Sequence, residues 1–343
     1  MSAAPRPWSW DLAGDRLRHV SDTLPGITRV RARGGFRYRA PDGSAVRDEA
    51  TLARIKALAI PPAYEQVWIC PHACGHLQAT GRDARGRKQY RYHPAWDDVR
   101  KRDKFHQLIE FGHALPRIRR RVREDLKRPG LDGRKVAALV LRLLETTLVR
   151  VGTPEYARTN KSYGLTTLTR RHARISASQV RFRFRGKSGI LHDVTVSDRR
   201  IARIVKRCME LPGQELFQYT DDAGQAHVID SGRVNAYLKE AGGGDFTAKD
   251  YRTWAGSVQA FSLLQRRGKT QQAPARQAVV EAVKEVSQLL NNTPAVCRAC
   301  YIHPAVEQAY LDGGLPPRRP CAGPDGLRAD ERRFLGFLQA WRD

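Results

Sequence analysis

Between residues 179 and 185 the chain reads Gln-Val-Arg-Phe-Arg-Phe-Arg, a strict alternation of apolar and cationic side chains. Successive side chains on a strand face opposite ways, so this run predicts a β-strand. It sets Val180, Phe182 and Phe184 against a core and turns Arg181, Arg183 and Arg185 outward. Gly186-Lys187-Ser188-Gly189 supplies a turn, and 190–196 the returning strand. Upstream, 134–150 spaces Val136, Leu139, Val140, Leu143, Leu144 and Leu148 as one helical stripe that needs burial, with Gly152 and Pro154 ending the helix.

The rest of the chain fills in an α+β architecture of two domains. In the first, 1–95, the segments 27–32 and 36–40 flank Gly34-Gly35 and read as a hairpin. A short helix over 48–59 stops at Pro61-Pro62, and 67–70, 76–80 and 89–93 read as further strands. Pro94 and the charged stretch 97–104 mark the expected junction. The second domain, 100–343, is mainly helical around the 179–196 hairpin, with helices expected over 199–210, 231–241, 247–267, 274–291 and 330–341, and a short one after Thr293-Pro294. Thr247 with Asp250 three residues on has the form of a capping box.

Charge narrows the partners. Lys and Arg number 61 against 35 Asp and Glu, a net of +26, and 48 of the 61 are arginine. Self-repulsion of that size is offset by a polyanion, and the guanidinium fork suits phosphate oxygens, so nucleic acid is the first candidate partner. No apolar run reaches the roughly 18 residues of a membrane helix, and 1–14, with Trp8 and Trp10, lacks the pattern of a secretion signal. Six cysteines are too few for a disulfide scaffold. Cys70, Cys74 and His76 lie far in sequence from Cys297 and Cys300, so the cysteines read as free thiols of a reducing compartment rather than a zinc site.

Two phosphate-loop look-alikes fail. Gly186-Lys187-Ser188 and Gly268-Lys269-Thr270 need a glycine where the chain has Arg181 and Leu263. With no carboxylate cluster for a two-metal nuclease, neither nucleotide nor metal is expected. Among basic residues, Arg150 falls on the apolar face of the 134–150 helix, Lys187 sits at a hairpin tip, and Arg252, beside Lys249, opposes a helix dipole unless an anion binds there. Tyr301 taken alone reads as a packing residue.

Seven collinear motifs raise the reading of Tyr301. They are Gly-His-Leu-Gln-Ala-Thr-Gly at 75–81, Gln-Tyr-Arg-Tyr at 89–92 and Arg-Val-Gly from Arg150 after Leu-Leu-Glu-Thr-Thr. They continue with Tyr-Gly-Leu-Thr-Thr-Leu at 163–168, Phe-Arg-Gly-Lys at 184–187, Lys-Asp-Tyr-Arg-Thr-Trp at 249–254 and Thr293-Pro294 with Tyr301. Together they resemble the type IB DNA topoisomerases of the small poxvirus and bacterial kind, over nearly the whole chain.

That resemblance implies a fold of the tyrosine recombinase/topoisomerase IB type and an ATP-independent isomerase that relaxes duplex DNA. It implies Tyr301 as nucleophile, forming a link to a 3′ phosphate, with Arg150 and Arg252 clamping the phosphate, Lys187 as general acid and Lys249 as a supporting cation. Asn292 stands nine residues before Tyr301, where most of the family has histidine; it can donate a hydrogen bond but carries no charge. Gln89, Tyr90, Arg91 and Tyr92 are implied as a DNA-binding strand that enters the major groove. The implied whole is a cytoplasmic, nucleoid-associated monomer whose two domains close on duplex DNA as a clamp. The alternative is a tyrosine recombinase, which usually carries His-x-x-Arg where this chain has Lys249-Asp250-Tyr251-Arg252.

Overall fold

The computed structural model describes residues 9–12, 15–268, 272–320 and 322–341. Trp8, and Lys269 and Thr270 of the second phosphate-loop look-alike, lie outside the described residues. The chain divides into two compact units, Met1–His106 and Gln107–Asp343. The stretch 97–104 is helical backbone within Pro94–Asp125, and the division falls inside that helix.

The first unit is built on a five-stranded antiparallel sheet ordered Gly35–Arg39, Ile27–Ala32, Glu65–Ile69, Leu77–Arg82, Lys88–Tyr92. The hairpin between the first two turns at Gly34, whose φ of 85° is open to glycine at no steric cost. Ile27, Val67, Ile69 and Ala79 of the sheet pack with Ile55 of the helix Glu49–Ala57. Asp48 caps that helix by accepting from Thr51 N at 2.8 Å. The turn before the edge strand is organised by Asp83, which accepts from Arg85 N, Arg87 N, Arg87 Nε and Gln89 Nε2. The Arg87 bond, aided by the backbone amides, holds its carboxyl down at about 2 against the opposing effect of burial.

The second unit is helical around the three-stranded antiparallel sheet Ala173–Ile175, Gln179–Arg185, Leu191–Ser197. Val180, Phe182 and Phe184 are buried and Arg181, Arg183 and Arg185 exposed, as the alternation dictates. The helix Gly133–Thr147 runs through the middle of the core, and the helices Arg199–Glu210, Ser231–Gly242, Ala248–Arg267, Gln272–Leu289, Pro294–Tyr301, Pro304–Leu311 and Ala329–Ala340 follow. The Thr247/Asp250 capping box forms, with Thr247 N donating to Asp250 Oδ2 at 2.7 Å.

One boundary differs from expectation with consequences for the site. The 134–150 stripe does not stay helical to Arg150. Thr146 and Thr147 turn their hydroxyls back onto the carbonyls of Arg142 and Leu143, and Leu148 takes a left-handed φ of 54°. Arg150 is therefore off the helix, in an extended segment. That segment is held by Leu165 N donating to Arg150 O at 2.8 Å and Thr166 N to Val151 O at 2.7 Å. A Cβ on Gly164 would stand 2.5 Å from Arg150 O, so only glycine allows this approach.

Candidate active site

Five of the basic and phenolic residues singled out in the sequence line one cleft of about 410 Å³: Arg150, Lys187, Lys249, Arg252 and Tyr301. They come from four separate places in the chain. Arg150 lies on the extended segment after the central helix, and Lys187 is exposed at the turn between the two long strands. Lys249 and Arg252 occupy the first turn of Ala248–Arg267, while Tyr301 is the last residue of Pro294–Tyr301.

Arg252 organises the group. It is only 4% exposed, and its Nη1 donates to Leu148 O while Nη2 donates to Leu290 O at 2.7 Å. Each of those carbonyls lies two residues before a further site residue, Arg150 or Asn292. One guanidinium thus fixes both segments, and its carbon sits 5.1 Å from the centre of the Tyr301 ring. Burial pushes the Arg252 pKa below its ordinary value; Tyr301 opposes the shift and the neighbouring Arg150 charge adds to it. A guanidinium starts high enough to remain a cation.

Asn292 joins through Arg150, whose Nη2 donates to Asn292 Oδ1. That bond settles the amide's orientation, because a guanidinium has only donors. It leaves Asn292 Nδ2 buried with no hydrogen-bond partner among the described residues. A buried donor left open is costly and calls for an acceptor in the bound state.

Tyr301 is 9% exposed, with its backbone fixed from below. Ser257 Oγ donates to Tyr301 O at 3.2 Å and accepts from His303 N at 2.9 Å, holding the turn after the Tyr301 helix. Thr293 caps the start of that helix and Pro294 takes its first position. Cys297, fully buried on it, has its thiol pushed up to about 11 by burial, against the pull of Arg252, so it stays protonated at neutral pH. Cys70 and Cys208 are also buried, but Cys74 is exposed and Cys300 half-buried. Among the described residues no group of three or more His, Cys, Asp or Glu is arranged to hold a metal ion.

Gln89, Tyr90, Arg91 and Tyr92 belong to the other unit, on its edge strand. The pleat divides them. Tyr90, 48% exposed, stacks with Tyr92 at 6.1 Å on one face. On the alternate positions, Gln89 Nε2 donates to Asp83 Oδ2 and Arg91 Nη2 to Ala59 O.

The cleft also contains residues that the sequence did not single out. Tyr156, 51% exposed on Pro154–Asn160, and Tyr163 line it. Tyr163 N donates to Arg185 O at 2.8 Å and its hydroxyl accepts from Arg171 Nη2 at 3.1 Å. An aromatic on so short and polar a helix was the available signal for Tyr156; Tyr163 was visible only as part of a motif.

The comparisons give the class first. Residues 93–311 match the profile of the catalytic core of eukaryotic DNA topoisomerase I, and residues 35–83 that of the N-terminal domain of bacterial DNA topoisomerase IB. The chain is 30% identical over 287 residues to the DNA topoisomerase 1B of Acanthamoeba polyphaga mimivirus, covering 81% of this chain and 85% of that one. It is 21% identical over 255 residues to the DNA topoisomerase I of Monkeypox virus and to the DNA topoisomerase 1B of Vaccinia virus (strain Copenhagen), covering 73% of this chain and 76% of each of those. The chain belongs to the DNA topoisomerase I family, in its type IB branch, and is an isomerase.

Proposed function

We propose that this topoisomerase relaxes supercoiled duplex DNA by cutting one strand through Tyr301 and resealing it. The observation that carries the reading is the enclosure of the Tyr301 phenol in a cleft shared by Arg150, Lys187 and Arg252. In the forward step the Tyr301 oxygen bonds to phosphorus and gives up its proton, and the bond to the 5′ oxygen breaks. Lys187 delivers a proton to that leaving oxygen. Arg150, Arg252 and the open Asn292 Nδ2 stabilise the charge that builds on the non-bridging oxygens, and Lys249 adds a cation at the rim. The product is a 3′-phosphotyrosyl link. It conserves the bond energy, so the freed 5′ hydroxyl reverses the step without ATP after the duplex has rotated.

The arrangement of the helical unit is proposed to be that of the tyrosine recombinase/topoisomerase type. The two units are proposed to close on DNA as a clamp formed by one monomer, with Gln89, Tyr90, Arg91 and Tyr92 as the DNA-binding strand of the first. The net charge of +26 suits a nucleoid-associated cytoplasmic enzyme. Among the described residues no helix is long and apolar enough to cross a membrane.

A plasmid relaxation assay in excess EDTA without ATP, run on the wild type and on Tyr301→Phe, tests the reading. The wild type relaxes the plasmid and forms a denaturant-resistant adduct; Tyr301→Phe binds DNA but does neither. An adduct formed by Tyr301→Phe refutes the assignment of the nucleophile.

A further inference from the structure

His192 has no place in the scheme above, yet it lies at the junction of its parts. It is 5% exposed, on the strand Leu191–Ser197 directly across from Phe184, and its ring stacks on that phenyl at 4.8 Å and an interplanar angle of 3°. The other edge of the ring faces the neck of the Lys187 turn. A Cβ on Gly186 would lie 2.5 Å from His192 Nε2 and 2.6 Å from its Cδ2. The neck itself is closed by Gly186 N donating to Ile190 O at 2.8 Å and Gly189 N to Gly186 O at 3.0 Å.

Packing alone does not call for an imidazole here. A phenyl ring would stack on Phe184 as well and would bring no polar atom into the core. The chain instead buries Nδ1 of His192 with no hydrogen-bond partner among the described residues. The ring is kept neutral by burial first, and then by the positive charges of Arg150 and Arg252. The imidazole thus stands against the neck of the hairpin that carries the proposed proton donor, within reach of the charges of Arg150 and Arg252.

We propose that His192 is a positioning residue for Lys187: its ring sets the neck of the hairpin, and its open Nδ1 takes up a hydrogen bond when the hairpin closes on DNA. The proposal rests on the reading of Lys187 as general acid. His192 touches neither the phosphate nor the leaving oxygen, and its effect on the chemistry passes through the ammonium. Gly186 is the matching half of the device, because any side chain there displaces the ring.

The test is single-turnover cleavage of DNA carrying either oxygen or sulfur at the bridging 5′ position, by His192→Phe, Gly186→Ala, Lys187→Ala and Arg150→Ala. A thiolate leaves without a proton, so sulfur bypasses the acid. His192→Phe keeps the stack and loses the nitrogens. It is expected to cut the oxygen substrate at least about 10-fold more slowly, a loss bounded above by the roughly 10²- to 10⁴-fold that a positioned acid contributes. Sulfur then restores most of the rate, as for Lys187→Ala and unlike Arg150→Ala, with DNA affinity unchanged and thermal stability at neutral pH not lowered. Gly186→Ala, which disturbs the same contact from the other side, behaves as His192→Phe does. Full activity of His192→Phe on oxygen overturns the proposal, as does a loss that sulfur fails to repair while it repairs Lys187→Ala. If sulfur fails to repair Lys187→Ala, the assignment of the acid falls, and the proposal with it.

Discussion

Gly256 lies directly against the backbone of Tyr301: a Cβ at position 256 would stand 2.6 Å from the Tyr301 carbonyl oxygen and 3.3 Å from its Cβ. The helix Ala248–Arg267 therefore supplies Arg252 to the cleft and, one turn on, a floor on which Tyr301, the proposed nucleophile, rests. Gly256→Ala has to push the phenol forward. A shift on the order of 1 Å costs about 10²-fold in rate, so adduct formation should slow by that order while DNA binding persists. Single-turnover cleavage set beside a filter-binding isotherm checks this, and a rate within about twofold of wild type removes the floor from the account.

Asn292 differs from Arg150 and Arg252, its partners in the proposed phosphate clamp, in being uncharged. Its Oδ1 is taken by Arg150 and its Nδ2 is open, so the amide's contribution is one hydrogen bond to an oxyanion. Asn292→Ala should reduce cleavage by about 10²- to 10³-fold, the effect of losing one such donor. Asn292→Asp still accepts from Arg150 but sets a negative charge against the phosphate, so it should be slower than Asn292→Ala. Equal rates for the two variants mean that Nδ2 does not face the phosphate.

Arg119 joins the helices Pro94–Asp125, Gly133–Thr147 and Ala329–Ala340 through Glu145, at 2.6 Å, and Glu331, at 2.7 Å. Burial alone would raise the Glu331 carboxyl, but the hydrogen bond and charge of Arg119 more than offset it and hold the group below its ordinary value. Arg119→Met leaves Glu331 in the interior without its counter-ion and Glu145 with the more exposed Arg142 as its partner. It should lower the unfolding free energy by about 3–5 kcal/mol, the usual loss when one partner of a buried pair is removed. Urea melts of both proteins at pH 7 measure the difference; a loss under about 1 kcal/mol is too small for a buried pair.

Acid should weaken the fold before it reaches the carboxylates. His192 and His172 are both held below the ordinary imidazole value, first by burial, then by Arg150 and Arg252 for the former and Arg171 for the latter. The unfolded chain takes up those protons near pH 6.5 and the folded chain only at lower pH. Below that pH the unfolded state holds more protons, so stability falls as pH falls; above it the two groups are silent. The loss of unfolding free energy between pH 7.5 and 5.5 should therefore be smaller in His192→Phe than in the wild type. An unchanged loss assigns the acid sensitivity elsewhere.

Much of this was readable before any coordinates, where a local pattern had only one physical outlet. The 179–185 alternation could only be a half-buried strand, and the Thr247/Asp250 box marked a helix start to the residue. The end of the central helix was not readable, because it is set by threonine hydroxyls and by Leu148 accepting a left-handed φ, neither of which has a distinctive spacing. Pro94–Asp125 is hidden in the sequence because Pro116, which the helix runs through, reads as a breaker, and its apolar stripe is broken by arginines. The ribbon Gln218–Thr220 with Ala226–Val228 and the helix Pro304–Leu311 are short enough to pass as loop. Within the site, residue types and their order were legible through the motifs. The bonds that fix them, Arg150 to Asn292 and Arg252 to two carbonyls, join segments more than a hundred residues apart or end on backbone atoms that no side-chain pattern reveals.

The two carbonyls gripped by Arg252 make the cleft an interlock. If either gripped segment frays, the guanidinium loses its seat, and under the proposed mechanism the Tyr301 phenol loses the cation beside it. A partly unfolded molecule is then disarmed instead of half-armed. For an enzyme whose intermediate is a broken strand, this ties breaking to mending: under the proposed mechanism, fraying of either gripped segment disables cutting and resealing together.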